Sequence, residues 1–207
     1  MARNATNKLL QQAKKSKSDE FYTQFSDIES ELQHYKNHFK NKVIYCNCDD
    51  PTISNFFKYF ALNFKELGLK KLISSCYKEQ EMDLFNSSQT ENGYFYEYTG
   101  TDKEISTPTS KDIVYFNGDG DFRSSESIEL LKQADIVVTN PPFSLFREFV
   151  AQLVKYEKEF LIIGNINAIT YKEIFKLIKE NKAWLGINLG RGVSGFIVPK
   201  HYELYGT

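Results

Sequence analysis

The sequence predicts an α/β fold, a doubly wound and mostly parallel sheet with an inserted hairpin, on three observations. Asp135–Thr139 is a short apolar run rich in β-branched residues, which reads as a buried parallel strand. Lys42–Asn47 is a second such strand, followed by the acidic turn Cys48-Asp49-Asp50-Pro51 and a helix over about Thr52–Leu67 closed by Gly68. Glu159–Gly164 is a third buried run, and an amphipathic helix over Tyr171–Glu180 comes after it. Strands alternating with helices of this length build a parallel sheet covered on both faces.

The remaining elements fill in that frame. Met1–Ser18 is polar and basic (Lys8, Lys14, Lys15, Lys17) and reads as a solvated terminal segment or as an arm for DNA phosphates; residues 19–207 form one domain. Ile28, Leu32, Tyr35 and Phe39 follow helical spacing and predict a helix over about Ser26–Phe39. Leu69–Cys76 is a strand, and the polar stretch Tyr77–Asn92 reads as a loop. Gly93–Tyr98 and Lys111–Phe116 read as an antiparallel hairpin inserted into the sheet, with Thr101–Ser110 between them. A helix over Ser125–Lys132 leads into the Asp135 strand, and one from Leu145 to about Tyr156, capped by Ser144, leaves it. Ala183–Gly186 reads as a short strand, and Phe196–Val198 lies in the Gly-rich stretch that follows Gly190.

The composition narrows the function classes. Hydrophobic residues make up 41% and charged residues 26%, as in ordinary soluble domains, and no run is long and apolar enough for a membrane span. A net charge of −1 and pI near 6.3 leave no global basic field for nucleic acid. Aromatics reach 15%, a surplus compatible with base-stacking surfaces. Cys46, Cys48 and Cys76 have no histidine at metal-ligand spacing, so they read as reduced cytosolic thiols and no metal site is expected.

Two stretches carry chemistry. The Asp135 strand ends in Asn140-Pro141-Pro142-Phe143, where two prolines fix φ and remove two backbone donors, giving a rigid tetrapeptide at a strand's carboxyl end. An Asn oxygen and a held carbonyl can each accept one hydrogen of an aromatic amino group. Both bonds strengthen as charge develops on that nitrogen during methylation. Phe143 would stack on a base taken out of a duplex, although a plain proline turn with a core phenylalanine has the same residues. The second stretch is Asn117–Ser124. Gly118 and Gly120 permit left-handed backbone beside a ligand, Asp119 and Asp121 can accept hydrogen bonds, and Phe122 can pack on a purine face. The alternatives there are an ordinary turn or part of a calcium loop lacking its other ligands.

In order and spacing, SDEFYTQFSDI from Ser18, VIYCNCDDP from Val43, the helix from Ser54, GDGDFRS from Gly118 and VVTNPPFSLFREF from Val137 resemble the EcoRI-type adenine-specific DNA methyltransferases. The resemblance runs from about Ser18 to Pro199. It implies the Rossmann-like, seven-stranded-type fold of S-adenosylmethionine-dependent methyltransferases and transfer to the exocyclic N6 of adenine flipped from double-stranded DNA. By resemblance, Asn140, Pro141, Pro142 and Phe143 carry the transfer, Asp121 and Phe122 hold the cofactor's adenine, and Asp119 is a further cofactor-binding residue. Tyr22, Thr23, Cys46, Asn47 and Asp49 lie toward its methionine end, with Asp49 or Asp50 on its amino group. One departure is the absence of a Gly-rich loop after Asn47, which costs less for a cofactor without a pyrophosphate; two acids solvated at a helix N-terminus are the alternative. A second departure is length: members are longer, which implies a further C-terminal part or a partner subunit for target recognition. The setting implied is cytoplasmic restriction–modification or phage defence. A protein or RNA amino-group methyltransferase and a catalytically silent cofactor-fold module are the competing readings.

Overall fold

The computed structural model describes residues 22–78, 92–100 and 108–188 and the backbone of Phe196–Ile197. The segment expected over 1–18 and most of the loop expected over 77–92 lie outside them, as do residues 101–107 of the hairpin connection. Tyr22–Thr23 is a two-residue strand, β1, that pairs antiparallel with Phe196–Ile197. Helix α1 spans Phe25–Leu32 and buries Ile28 and Leu32, but its expected continuation to Phe39 is a 3-10 segment, Gln33–His38. The Gln33 side-chain amide donates to the Ser30 carbonyl (2.9 Å), which competes with the α-helical ladder there.

The strand β2 is Val43–Asn47, buried along its whole length. After it, α2 (Asn55–Leu62) is capped by Ser54, whose hydroxyl accepts from the Phe56 and Phe57 amides. The single helix expected here is divided at Asn63, where the side chain turns back onto the Tyr59 carbonyl (2.8 Å); α3 (Phe64–Leu67) then ends on Gly68 at φ 62°, as expected. Strand β3 is Lys71–Cys76, β4 is Tyr94–Tyr98 and β5 is only Val114–Tyr115, shorter than predicted. Helix α4 (Ser125–Gln133) leads into β6 (Ile136–Thr139), α5 (Phe146–Lys155) into β7 (Glu159–Ile162), and α6 (Lys172–Lys179) follows.

The main sheet has six strands among the described residues, in the order β5-β4-β3-β2-β6-β7. β2 is parallel to β3 and β6, and β6 is parallel to β7; β4 and β5 run antiparallel, the predicted inserted hairpin. Consecutive β2 residues feed opposite cores. Ile44 and Cys46 join α1–α3 on one face, and Val43 and Tyr45 join α4 and α5 on the other. The sheet is therefore doubly wound, with helices on both faces.

Three further expectations change. Ser144 does not cap α5: a 3-10 turn, Phe143–Leu145, is closed by the Leu145 amide on the Pro142 carbonyl (3.1 Å), and the helix starts one residue later, at Phe146, without a side-chain cap. β7 is only half-buried because it has no neighbour beyond it among the described residues. Ala183–Gly186 is not a strand. Its continuation is anchored by Glu31, whose carboxylate accepts from the Ile187 (2.8 Å) and Asn188 (2.9 Å) amides. Among the described residues, no helix is long and apolar enough to cross a membrane.

Candidate active site

From β2 the chain winds to β3 on one side, and from β6 it winds to β7 on the other, so the two carboxyl ends flank the switch in strand order. Ligands of open α/β sheets bind at such a crevice. The end of β2 supplies Asn47–Asp50, and the end of β6 supplies Asn140–Phe143.

Asp49 joins them. Its carboxylate lies inside the protein, 8% exposed, and accepts from the Ser54 hydroxyl (2.8 Å), the Thr139 hydroxyl and the Asn140 backbone amide. Its carbonyl accepts from the Ser74 hydroxyl on β3. Burial, only partly offset by those hydrogen bonds, raises the Asp49 carboxyl to about 6. Thr139 Oγ1 also lies 2.6 Å from the Asn47 carbonyl, so its one proton is shared between two acceptors while Asp49 is ionised. Asp50 is half-buried and accepts from the Thr52 amide (2.8 Å) and hydroxyl (2.6 Å) and the Tyr94 hydroxyl (2.8 Å). Neither acid is simply solvated at the helix terminus, which removes that alternative.

Asn47 is 1% exposed, and its Nδ2 is buried without a hydrogen-bond acceptor among the described residues. Cys46 is fully buried with its side chain in the core, so only its backbone can face the crevice. Between Asn47 and Asp49, Cys48 holds φ at 91°, a conformation that usually requires glycine. The tight turn that a Gly-rich loop would make is present here without the glycine. Thr23 is 4% exposed, and its carbonyl accepts from Asn55 Nδ2 (2.8 Å), which ties β1 to the start of α2.

The Asn117–Ser124 loop is pinned to the ends of β3 and β4. The Lys78 amide donates to the Asp119 carbonyl (2.9 Å) and the Gly93 amide to the Gly118 carbonyl (3.0 Å). Of the two predicted glycines only Gly120 needs its freedom, with φ 78° and a virtual Cβ 2.7 Å from the Cys76 carbonyl; Gly118 borders open space. Asp119 Oδ1 accepts from the Asp121 amide (3.0 Å). Asp121 is gripped by Arg123 and Phe122 is 4% exposed, packed edge-on against Phe149 at 5.1 Å. A cleft lined by Cys48, Tyr77, Gly120, Asp121, Phe122 and Pro142 runs between the β2 turn, this loop and the proline turn. Of the predicted site residues, Asp121, Phe122 and Pro142 line this cleft, with Cys48 of the β2 turn beside them; Asn47, Asp49 and Asn140 lie buried behind it. Thr139 and Arg123 are signalled in the sequence only by their place next to or within the two motifs, and Ser54 and Ser74 carry no signal of a role at the site.

Fold and site together define a doubly wound α/β protein with a cleft at the switch point of its sheet. The profile described as "Adenine-specific methyltransferase EcoRI" matches residues 9–207, and the chain belongs to that family. It is 68% identical over 207 residues to the Type II methyltransferase M.EcoRI of Escherichia coli, covering all of this chain and 64% of that protein. It is 44% identical to M.MgeORF184P of Mycoplasma genitalium and 43% to M.MpnI of Mycoplasma pneumoniae, over 193 residues in each case. These alignments cover 93% of this chain and 55% and 54% of those two, so the chain spans between half and two thirds of the curated relatives it matches. No solved structure matches it significantly.

Proposed function

We propose that the chain is the catalytic part of a DNA adenine methyltransferase that moves a methyl group from S-adenosylmethionine to the N6 amino group of adenine. The observation that carries this reading is the Asn-Pro-Pro-Phe turn held at the switch point by Asp49, in a chain of the adenine-specific family. The residues present suit the cofactor. The unmatched Asn47 donor and the cleft beside Gly120 and Asp121 supply polar groups and room where the two strand ends meet. Asp121 and Phe122 would hold its adenine with Asp119 as a further cofactor-binding residue, and Tyr22, Thr23, Asn47 and the backbone at Cys46 would border its methionine end. When bound, the cofactor supplies an electrophilic methyl group on a sulfonium.

The chain's own residues do the rest. Asn140 Oδ1 and the Pro141 carbonyl accept the two hydrogens of the adenine amino group and raise the electron density on its nitrogen. Pro142 keeps the turn rigid, and Phe143 stacks on the flipped base. A net charge of −1 supports sharing of target recognition on double-stranded DNA with a partner subunit or further chain. The family supports a cytoplasmic role in restriction–modification or phage defence. Labelled methyl transfer followed by nucleoside analysis tests the reading. N6-methyladenine in DNA is expected, whereas label in RNA or in protein glutamine would replace it with another acceptor, and label in nothing would favour a silent module.

A further inference from the structure

We infer that Asp49, expected from the resemblance beside the cofactor's amino group, is instead a positioning residue that sets the conformation of the Asn-Pro-Pro-Phe turn from the neighbouring strand, without touching cofactor or substrate. The inference rests on reading that turn as the transfer site. Every acceptor position of Asp49 that the structure describes faces the protein. Ser54 ties one carboxylate oxygen to the cap of α2, while Thr139 and the Asn140 amide tie the group to the last residue of β6 and the first of the motif. The Asn140 amide is the last backbone donor before the two prolines, which have none to offer. The Ile163 amide on the Thr139 carbonyl (3.2 Å) sets the register up to the end of β6. Beyond it nothing in the turn can be fixed through its own N–H until Phe143 except Asn140, whose amide is held by this carboxylate. An ionised acceptor makes the stronger bond to that amide, and a misplacement of about 1 Å in a transfer site costs on the order of 10²-fold in rate.

The titratable groups facing Asp49 are few. Asp50 on the same turn adds a like charge, and the Cys46 thiol on β2 is pushed well above its ordinary range, by burial first and by Asp49 second, so it stays neutral. Ser54, Thr139 and Ser74 contribute only hydroxyls. Asp49 is therefore the group whose charge the Asn140 amide reports.

The test is the amide spectrum of the 207-residue chain between pH 5 and 8. The Asn140 amide proton is expected to shift with a midpoint near the Asp49 value of about 6. Asp49→Asn abolishes that inflection, and Thr139→Val, which keeps shape but removes a hydrogen bond that favours the charged form, moves the midpoint upward. An Asn140 amide that does not respond to pH in this range overturns the inference, as does an Asp49→Asn variant whose S-adenosylmethionine affinity falls by the same factor as its methylation rate. The expected result is a rate loss of about tenfold or more at a cofactor affinity within about twofold of wild type, and a rate that no longer falls below pH 6. If the wild-type chain methylates nothing, the proposed function fails, and the amide titration decides the role of Asp49 by itself.

Discussion

Arg123 grips Asp121 by two parallel bonds, Nε to Oδ1 at 2.9 Å and Nη2 to Oδ2 at 2.7 Å, and reaches Glu148 on α5 with its third nitrogen at 2.8 Å. This fork orients the acid proposed to hold the cofactor's adenine, and it links the Asn117–Ser124 loop to the helix that leaves the proline turn. The Asp121 side chain is 13% exposed while that of Arg123 is 43% exposed, so the pair is half-solvated and contributes at most about 1 kcal/mol to folding. Arg123→Ala should shift the urea midpoint little, yet weaken S-adenosylmethionine binding several-fold in calorimetry by freeing the carboxylate.

Asn140→Ala removes the side-chain acceptor from the turn while leaving its backbone amide on Asp49. A single-turnover methylation assay should show a rate loss on the order of 10² or more with cofactor affinity preserved, as for other preorganised polar groups. A loss confined to KM would mean that Asn140 only helps to bind the base.

Asp49 also has a stability signature whose sign is opposite to that of most carboxylates. Its folded value, about 6, lies above the ordinary one near 4, so the folded chain holds this proton more tightly than the unfolded chain. The stability from this group is fully present below about pH 4 and is lost as pH rises through about 6, by roughly 3 kcal/mol for a shift of about 2 units. The difference in unfolding free energy between wild type and Asp49→Asn, followed across pH 4–7, should fall along that slope. A flat difference would contradict the buried carboxylate.

The glycines should separate sharply. A Cβ on Gly93 would lie 2.3 Å from the Asp119 carbonyl, and Gly120 combines φ 78° with a 2.7 Å approach to Cys76, whereas Gly118 meets nothing closer than 4.0 Å. Gly93→Ala and Gly120→Ala should each cost about 2 kcal/mol or more in thermal or urea unfolding, and Gly118→Ala less than about 0.5.

Cys48 is the reverse case, a residue with a side chain where glycine is preferred. Cys48→Gly relieves strain of order 1–3 kcal/mol and loses about half to one through unfolded-state freedom, so a gain of about 1 kcal/mol is expected in urea unfolding.

What was legible in the sequence was local. The β6 strand and its proline stop, the Gly68 cap and the antiparallel hairpin follow from β-branched runs, a left-handed cap and alternation, and each appears, the hairpin with a second strand of only two residues. Helix continuity was overestimated at Gln33 and Asn63, where a side-chain amide competes for a backbone carbonyl that periodicity alone cannot weigh. Ser144 has the composition of a cap, but the prolines before it favour a 3-10 turn that delays the helix. At the site, the residue types of both motifs were visible while their partners were not. Thr139 holds Asp49 from 90 residues away, and β1 pairs with Phe196–Ile197 across almost the whole chain. Only the fold brings such pairs together.

The most direct test of the account is a calorimetric titration of the 207-residue chain with S-adenosylmethionine, because it depends on the cleft between the two strand ends and on no DNA contact. Micromolar binding that weakens about tenfold or more in Asp121→Ala, the loss expected for a hydrogen bond to a charged group, is the predicted result. A folded chain that binds no S-adenosylmethionine would contradict the assignment of this crevice as a methyl-transfer site.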